Sequence, residues 1–154
     1  MRNMLRPLYL FLLIITFLFS SGGQIFGQGK VSLSTGFGLP EALNISIRYQ
    51  ILNQSKIGVS GGWWQDDISF SGDYYYHFSG SSKFTDMHPW YGRFGLNHIV
   101  DWWTGTYLRV GRDFNMSKSF GINIDAGIMY NFTYRKQGLH PLITVYGINL
   151  SYRF

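Results

Sequence analysis

The segment ITVYGINLSYRF, residues 143–154, alternates between apolar residues and small or polar ones. Its apolar set is Tyr146, Ile148, Leu150, Tyr152 and Phe154. Its other set is Gly147, Asn149, Ser151 and Arg153. Successive side chains of a strand point to opposite faces, so this alternation predicts a β-strand with one apolar and one polar face.

The same period of two recurs through the preceding chain. It predicts seven further strands, at residues 30–39, 43–51, 57–64, 68–78, 90–100, 107–114 and 120–132. Short polar or glycine-containing connections separate them, and no segment has helical periodicity. The sequence therefore predicts one all-β domain of eight antiparallel strands, spanning residues 28–154.

The first 27 residues have a different composition. Arg2 and Arg6 precede an uncharged apolar run from Leu8 to Phe19, and small residues follow it. This order is typical of a secretory signal peptide, and the run is too short to span a bilayer as a helix. We expect a signal peptide at residues 1–27, cleaved after Gly27 or Gly23. The chain has no cysteine, so neither a lipoprotein anchor nor a disulfide framework is expected.

The net charge points to no polyanionic partner. The whole chain carries a formal charge of +5, and cleavage would remove two of its positive charges with Arg2 and Arg6. The remaining basic residues are scattered along the strands without forming a run. Nucleic-acid binding is therefore not expected.

Charges in the middle of the predicted strands fall on the polar face. They are Arg48, Asp73, Arg93, Arg109, Asp113, Asp125 and Arg153. Many glycines share this face. An eight-stranded barrel is only just wide enough for its own side chains, and small residues leave room for arginine and aspartate to pair there. Four arginines and three aspartates are close to the balance that a buried network requires, so these seven residues are the predicted lumen network.

Aromatic residues cluster towards both ends of the predicted strands. One group contains Trp63, Trp64, Trp102, Trp103, Tyr107, Tyr130, Phe132 and Tyr146. The other contains Tyr49, Phe78, Trp90, Phe114, Phe120, Tyr152 and Phe154. Two aromatic belts flanking aliphatic residues are typical of the two membrane interfaces of a transmembrane barrel. A soluble exported barrel or sandwich is the alternative, with the apolar face turned inwards.

In pattern, residues 29–154 resemble the small outer-membrane β-barrels of Gram-negative bacteria. The specific motif is the last nine residues, whose apolar set (Tyr146, Ile148, Leu150, Tyr152 and Phe154) matches that family's C-terminal assembly signal. The resemblance implies an up-and-down transmembrane barrel in the cell outer membrane, with a polar, charge-paired lumen. It also implies outer-membrane lipid, lipopolysaccharide and the barrel assembly machinery as partners.

The resemblance further implies an orientation, with both termini in the periplasm. The expected outer loops lie near residue 40 and at 65–67, 101–106 and 133–142. The expected periplasmic turns are 53–56, 79–89 and 115–119.

Chemically reactive patterns are weak. His77 and Ser79 resemble the H-x-S motif of lipid A deacylases, but a hydrogen-bonded histidine at a barrel end has the same pattern. Asp66, Asp67 and Asp101 could bind a divalent cation or simply be solvated turn residues, and His88, His98 and His140 lack metal-ligand spacing. We expect no catalytic residue, metal or cofactor, and a non-enzymatic structural or surface-interaction role. A lipid-modifying enzyme and a soluble ligand-binding barrel are the alternatives.

Overall fold

A computed structural model describes residues 30–64, 67–133 and 140–154. The predicted signal peptide, residues 1–27, lies outside the described residues. Eight strands are present: β1 (Val31–Leu39), β2 (Ala42–Leu52), β3 (Ser55–Trp64), β4 (Asp67–Ser79), β5 (Trp90–Ile99), β6 (Trp103–Asn115), β7 (Phe120–Asn131) and β8 (Leu142–Arg153). No helix within the described residues is long and apolar enough to cross a membrane.

The strands form a closed antiparallel barrel. Each strand pairs with the next in sequence, and β8 returns to pair with β1, where Ser34 lies opposite Ser151. Closure leaves no unpaired sheet edge, so the backbone hydrogen bonds of the strands are satisfied within the barrel. The predicted eight-stranded, all-antiparallel barrel is confirmed.

The barrel has its apolar face outside. Among the described residues, thirty-two large hydrophobic side chains are exposed and only nine hydrophobic side chains are buried. Ile47, Ile124 and Leu150 point outwards, whereas Ser46, Asp125 and Ser151 next to them are buried. This distribution is the reverse of a water-soluble β-barrel, whose apolar face is inside.

The two ends of the barrel differ in their connections. We call the end that holds residues 30 and 154 and the connections 53–54, 80–89 and 116–119 the terminal end. The opposite, or loop, end holds the connections 40–41, 65–66, 100–102 and 132–141. In connection 132–141, the structure describes the residues up to Thr133 and again from His140.

Strand β6 begins four residues before the predicted start at residue 107. Residues 103–106, predicted as part of a turn, continue the ladder with β5, where Thr104 pairs with His98. The assignment of Trp103 and Tyr107 to an outer aromatic belt is therefore wrong, because both side chains are buried inside the barrel. They pack with Ile99, Met129 and Val145 in an apolar cluster within the lumen.

Glycine at position 95 makes room for the inward-pointing Tyr107. A Cβ atom at Gly95 would lie 2.6 Å from Cζ of Tyr107, and would also collide with the Asp73 carboxylate. At Gly72, which points outwards, no atom lies within 4 Å of an added Cβ. Glycine is thus required at position 95 because of packing inside the lumen, and not because of the strand backbone.

We therefore expect Gly95→Val to destabilise the barrel by about 1–3 kcal/mol, because it forces Tyr107 and Asp73 apart. Gly72→Val is the matched control in the same sheet, and should leave stability within about 0.5 kcal/mol of the wild type. Urea unfolding in detergent micelles measures both. Equal effects of the two substitutions would contradict the proposed packing role of Gly95.

Candidate functional site

The centre of the lumen is occupied by the guanidinium group of Arg93 on β5. Its Nε and Nη2 donate to the two carboxylate oxygens of Asp73, both at 2.9 Å. Nη2 also donates to Glu41 Oε1 at 2.9 Å, and Nη1 lies 3.4 Å from Asp125 Oδ2. Arg93 therefore bridges three acidic residues from three different parts of the chain.

Arg109 on β6 completes this group from the neighbouring strand. Its Nη2 donates to Glu41 Oε2 at 2.9 Å and its Nη1 to Asp125 Oδ1 at 3.0 Å. All five side chains, Arg93, Arg109, Glu41, Asp73 and Asp125, are buried. We call them the central network. Its two arginines and three carboxylates leave a formal charge of one negative unit.

Tyrosine side chains enclose the central network. The Tyr107 hydroxyl contacts Asp73 and Glu41, and it accepts a hydrogen bond from Arg93 Nη2 at 3.0 Å. The Arg109 guanidinium lies 4.3 Å from the centre of the Tyr107 ring. Tyr91 donates to Asp125 from the other side, at 3.2 Å. These rings pack around the charges and keep hydroxyl groups within hydrogen-bonding distance of them, as a buried network requires.

Glu41 was not among the predicted network residues. It lies between β1 and β2, in a connection that the sequence indicates only as a turn. The turn folds into the lumen, so that the Ser69 hydroxyl donates to the Glu41 carbonyl and the Ser71 hydroxyl to its carboxylate, each at 3.4 Å. Alternation within strands cannot reveal an inward-folded turn residue, and the predicted set of four arginines and three aspartates was taken as close to balanced without Glu41.

Electrostatics favour the ionised form of Glu41. Burial alone would raise its pKa, but the guanidinium groups of Arg93 and Arg109 outweigh burial and lower the pKa to about 2. A carboxyl whose pKa is lower in the folded state than in the unfolded state stabilises the fold above its unfolded value of 4.5. That contribution is lost as the pH falls towards 2.

We therefore expect Glu41→Gln to reduce the free energy of unfolding at pH 7 by about 1.5–3 kcal/mol, since it removes charge-assisted hydrogen bonds to two arginines. The difference between wild type and variant should shrink as the pH is lowered from 4.5 towards 2. Unfolding titrations at several pH values measure it. A difference that is independent of pH would show that the charge of Glu41 does not contribute.

A second polar group lies nearer the terminal end. Arg48 Nη1 donates to Asn123 Oδ1 at 2.9 Å, and Asn123 Nδ2 donates to Asp113 Oδ1 at 2.7 Å. The Arg48 guanidinium also lies 4.8 Å from the centre of the Tyr75 ring. Arg48 and Asp113 are thus linked through an amide instead of forming a direct ion pair.

Arg153 occupies a different position from the other six predicted network residues. It is half-buried at the rim of the terminal end. Its Nε donates to the carbonyl of Lys118, and its Nη2 to the carbonyl of Ser117, both at 3.1 Å. Arg153 does not reach the central network, because it is the last residue of β8.

Connection 80–89 covers the mouth of the barrel at the terminal end. Met87 within it is buried, and the carbonyl of Pro89 accepts a hydrogen bond from the Asp113 amide. At the loop end, the inward-folded turn containing Glu41 and the apolar cluster around Trp103 fill the lumen. In the described part of the chain, side chains therefore fill the centre and the loop end of the barrel interior, and connection 80–89 covers its terminal end.

The His77–Ser79 pair is not assembled as a catalytic unit. His77 is buried, and its Nδ1 lies 2.6 Å from the carbonyl oxygen of His88. Ser79 is exposed, and the β4–β5 register shifts between the two residues. His77 therefore matches the alternative interpretation of this motif, a hydrogen-bonded histidine at a barrel end.

The remaining candidate polar residues are dispersed. Asp101 is exposed in the β5–β6 turn, and His98 is exposed with its Nδ1 2.9 Å from the Thr104 hydroxyl. Asp66 lies outside the described residues. Across residues 30–64, 67–133 and 140–154, no three histidine, aspartate or glutamate side chains come together in a way that could hold a metal ion.

The predicted assembly signal forms the outer face of β8. Tyr146, Ile148, Leu150 and Tyr152 point outwards, each about half exposed. Phe154 follows the end of the strand, and its ring packs edge-on against Tyr152 with the centroids 5.1 Å apart. The segment thus presents a continuous apolar stripe along the strand that closes the barrel.

Comparison with known proteins identifies the fold. No protein-family model matches the sequence, and no curated protein matches it either. Among solved structures, the N-terminal β-barrel domain of OprF from Pseudomonas aeruginosa is similar, with a TM-score of 0.63 and 19% identity over 83% of this chain and 99% of that domain. The de novo designed protein TMB2.3 is also similar, with a TM-score of 0.56 and 15% identity over 83% of this chain and 96% of the design.

At these identities the likeness concerns architecture and not sequence family. Both comparisons cover nearly the whole length of the other protein. The barrel described here is therefore equivalent in extent to a complete β-barrel domain. The chain has the closed eight-stranded architecture of the OprF N-terminal barrel.

Proposed function

We propose that this protein is a small, non-enzymatic β-barrel of the bacterial outer membrane, with a structural or surface-interaction role in the cell envelope. The observation that carries the proposal is the inverted distribution of side chains. The central network of charges is buried inside, and an apolar surface surrounds the barrel. Such a surface is stable in lipid and would associate in water.

The likeness to the OprF N-terminal barrel supports the same proposal. Exposed aromatic residues also occur towards both ends of the strands, including Trp63 and Tyr130 at the loop end and Trp90 and Tyr152 at the terminal end. Aromatic side chains are favoured at the two lipid–water interfaces. Outer-membrane lipid and lipopolysaccharide are therefore the proposed partners of the outer surface.

Assembly by the outer-membrane barrel machinery is part of the proposal. The apolar stripe of β8 supports it, because that strand pairs with β1 to close the barrel. The periplasmic location of the terminal end, and the signal peptide at residues 1–27, belong to the same proposal.

Membrane insertion is tested by detergent partition and by gel migration before and after heating. We expect the protein to partition into detergent, and to migrate differently when unheated because the closed barrel resists unfolding. A protein that remains in the aqueous phase and is monomeric without detergent would overturn the proposal in favour of a soluble barrel.

We further propose that the lumen is a filled core and not a diffusion channel. Arg93, Arg109 and their three carboxylates cross the barrel at its centre, and Met87 is buried at the terminal end. Eight-stranded barrels leave little room beyond their own side chains. Planar-bilayer recordings should show no stable open channel, whereas a steady conductance would contradict the proposal.

The non-enzymatic part of the proposal rests on the separation of His77 from Ser79. Comparing lipid A from cells with and without the gene provides the test. We expect the same lipid A species in both. A modification that depends on the gene and is lost in His77→Ala would instead establish the lipid-modifying alternative.

A further inference from the structure

Positive charge accumulates in the lumen at the terminal end. Arg48 on β2, Lys56 on β3 and Arg153 on β8 all lie on the inner face there. Asp113 is the acidic residue with which all three interact electrostatically. Three cations around one carboxylate leave a local excess of two positive units, and the central network offsets one of them.

Lys56 is the unusual member of this group. Its side chain is buried, with the residue only 9% exposed. Within the described residues, no hydrogen bond or ion pair within 4 Å joins its ammonium group to another side chain. Burying a charged group is costly unless an opposite charge or hydrogen-bonding partners compensate it. Lys56 therefore has no direct ion pair, and Asp113 acts on it only from beyond 4 Å.

Arg48 has unused capacity as well. Only its Nη1 bonds to Asn123, and its buried Nε has no hydrogen-bond partner. Arg153 uses Nε and one Nη2 proton on backbone carbonyls. Because a guanidinium group has five donors, both arginines retain N–H groups for a further acceptor.

A cavity adjoins this basic cluster. It measures about 430 Å³, and its lining includes Gln50, Arg153, Lys118 and Asp86. Gln50 is directly opposite Lys56 in the β2–β3 ladder. Arg153 and the exposed Lys118 therefore line the cavity, and Lys56 lies beside it as the ladder neighbour of Gln50. Asp86 is the acidic group that lines it.

We propose that this cavity binds a small oxyanion of the phosphate class, held by Arg153 and Lys118, which line it, and by Lys56 beside it. Phosphate oxygens match both the unpaired ammonium and the free guanidinium donors. One such anion would supply the missing counter-charge. The inference depends on the barrel interior alone, so it stands or falls separately from the membrane location.

The test is titration of the purified protein with inorganic phosphate in an uncharged detergent, at constant ionic strength in sodium chloride. We expect saturable binding by calorimetry, weakened about tenfold in Lys56→Gln and in Arg153→Gln, as for loss of one charge-assisted hydrogen bond. Lys83→Gln is the matched control, because Lys83 is exposed in connection 80–89 and does not line this cavity. Its affinity should equal that of the wild type.

If Lys56→Gln fails to fold, Lys56→Arg replaces it as the test variant, because it keeps the positive charge and should retain binding. The alternative is that Lys56 loses its proton, which would remove the excess positive charge without an anion. That alternative predicts no phosphate binding. Absence of saturable binding in the wild type, or equal weakening in Lys83→Gln, would overturn the proposal.

The phosphate group could belong to a solute or to a lipid headgroup. Repeating the titration with a short-chain phosphatidylglycerol separates these sources. If inorganic phosphate competes with the lipid, both bind at the proposed site. The ligand with the higher affinity then identifies the source of the phosphate group. Lipid binding that is unaffected by phosphate or by Lys56→Gln would contradict it.

Discussion

Replacing Arg93 by methionine is expected to lower the free energy of unfolding by about 3–5 kcal/mol, because it leaves the buried carboxylates short of a counter-charge. Arg93 contacts Glu41, Asp73 and Asp125. Without it, Arg109 alone would face three acids in a medium that solvates them poorly. Unfolding by urea in lipid vesicles, followed by tryptophan fluorescence, measures the change.

Arg112→Met is the matched control for this prediction. Arg112 is on strand β6 and is exposed on the outer surface, where its guanidinium lies 5.4 Å from the Trp90 ring centre and 5.0 Å from that of Phe114. Its replacement should cost no more than about 1 kcal/mol. If both substitutions lowered the free energy of unfolding by similar amounts, the buried contacts of Arg93 with the three carboxylates would not account for its effect.

Adding Glu41→Gln to Arg93→Met tests whether the two residues act together. The double variant should lose less stability than the sum of the two single variants, because each single substitution leaves the other member of the pair uncompensated. Strict additivity would contradict direct coupling across the 2.9 Å contact between Arg93 and Glu41.

The second large effect concerns the outer surface. Leu108→Arg is expected to destabilise the barrel by about 2–4 kcal/mol in lipid vesicles, because it places a charge near the middle of the bilayer. Leu108 is 58% exposed and lies near the centre of β6. In a water-soluble barrel the same substitution at an exposed position would be close to neutral.

Leu52→Arg provides the depth control. Leu52 is 65% exposed at the end of β2, beside the turn at residues 53–54. There the arginine can reach the interface, so the cost should fall to about 0–1 kcal/mol. Equal costs at both positions, or no cost at Leu108, would contradict a lipid-facing outer surface.

Several features of the barrel follow from alternation alone. Ile148 and Leu150 point outwards while the alternating residues Gly147 and Asn149 point inwards, because successive residues of a strand face opposite sides. The same rule placed Asp73, Arg93, Arg109 and Asp125 on the inner face. Their polarity, together with the apolar opposite face, favoured a barrel with inverted polarity over a soluble barrel or sandwich.

Other features required knowledge of register and of loop conformation. Trp103 and Tyr107 are aromatic residues near a strand end, so composition suggested an interface belt. Only the pairing of β6 with β5 shows that small neighbours such as Gly95 admit Tyr107 into the lumen. Glu41 has no strand periodicity to interpret, and it entered the central network through the fold of a turn.

By itself, then, the sequence determined the number of strands, their antiparallel order and the face on which most strand side chains lie. These properties depend on the local geometry of an extended chain, which repeats every two residues. The tertiary structure decided which charges meet, which aromatic residues fill the lumen and where positive charge is left unpaired. Those properties depend on distances across the barrel, between residues such as Glu41 and Arg109 that are far apart in the chain and 2.9 Å apart in the fold.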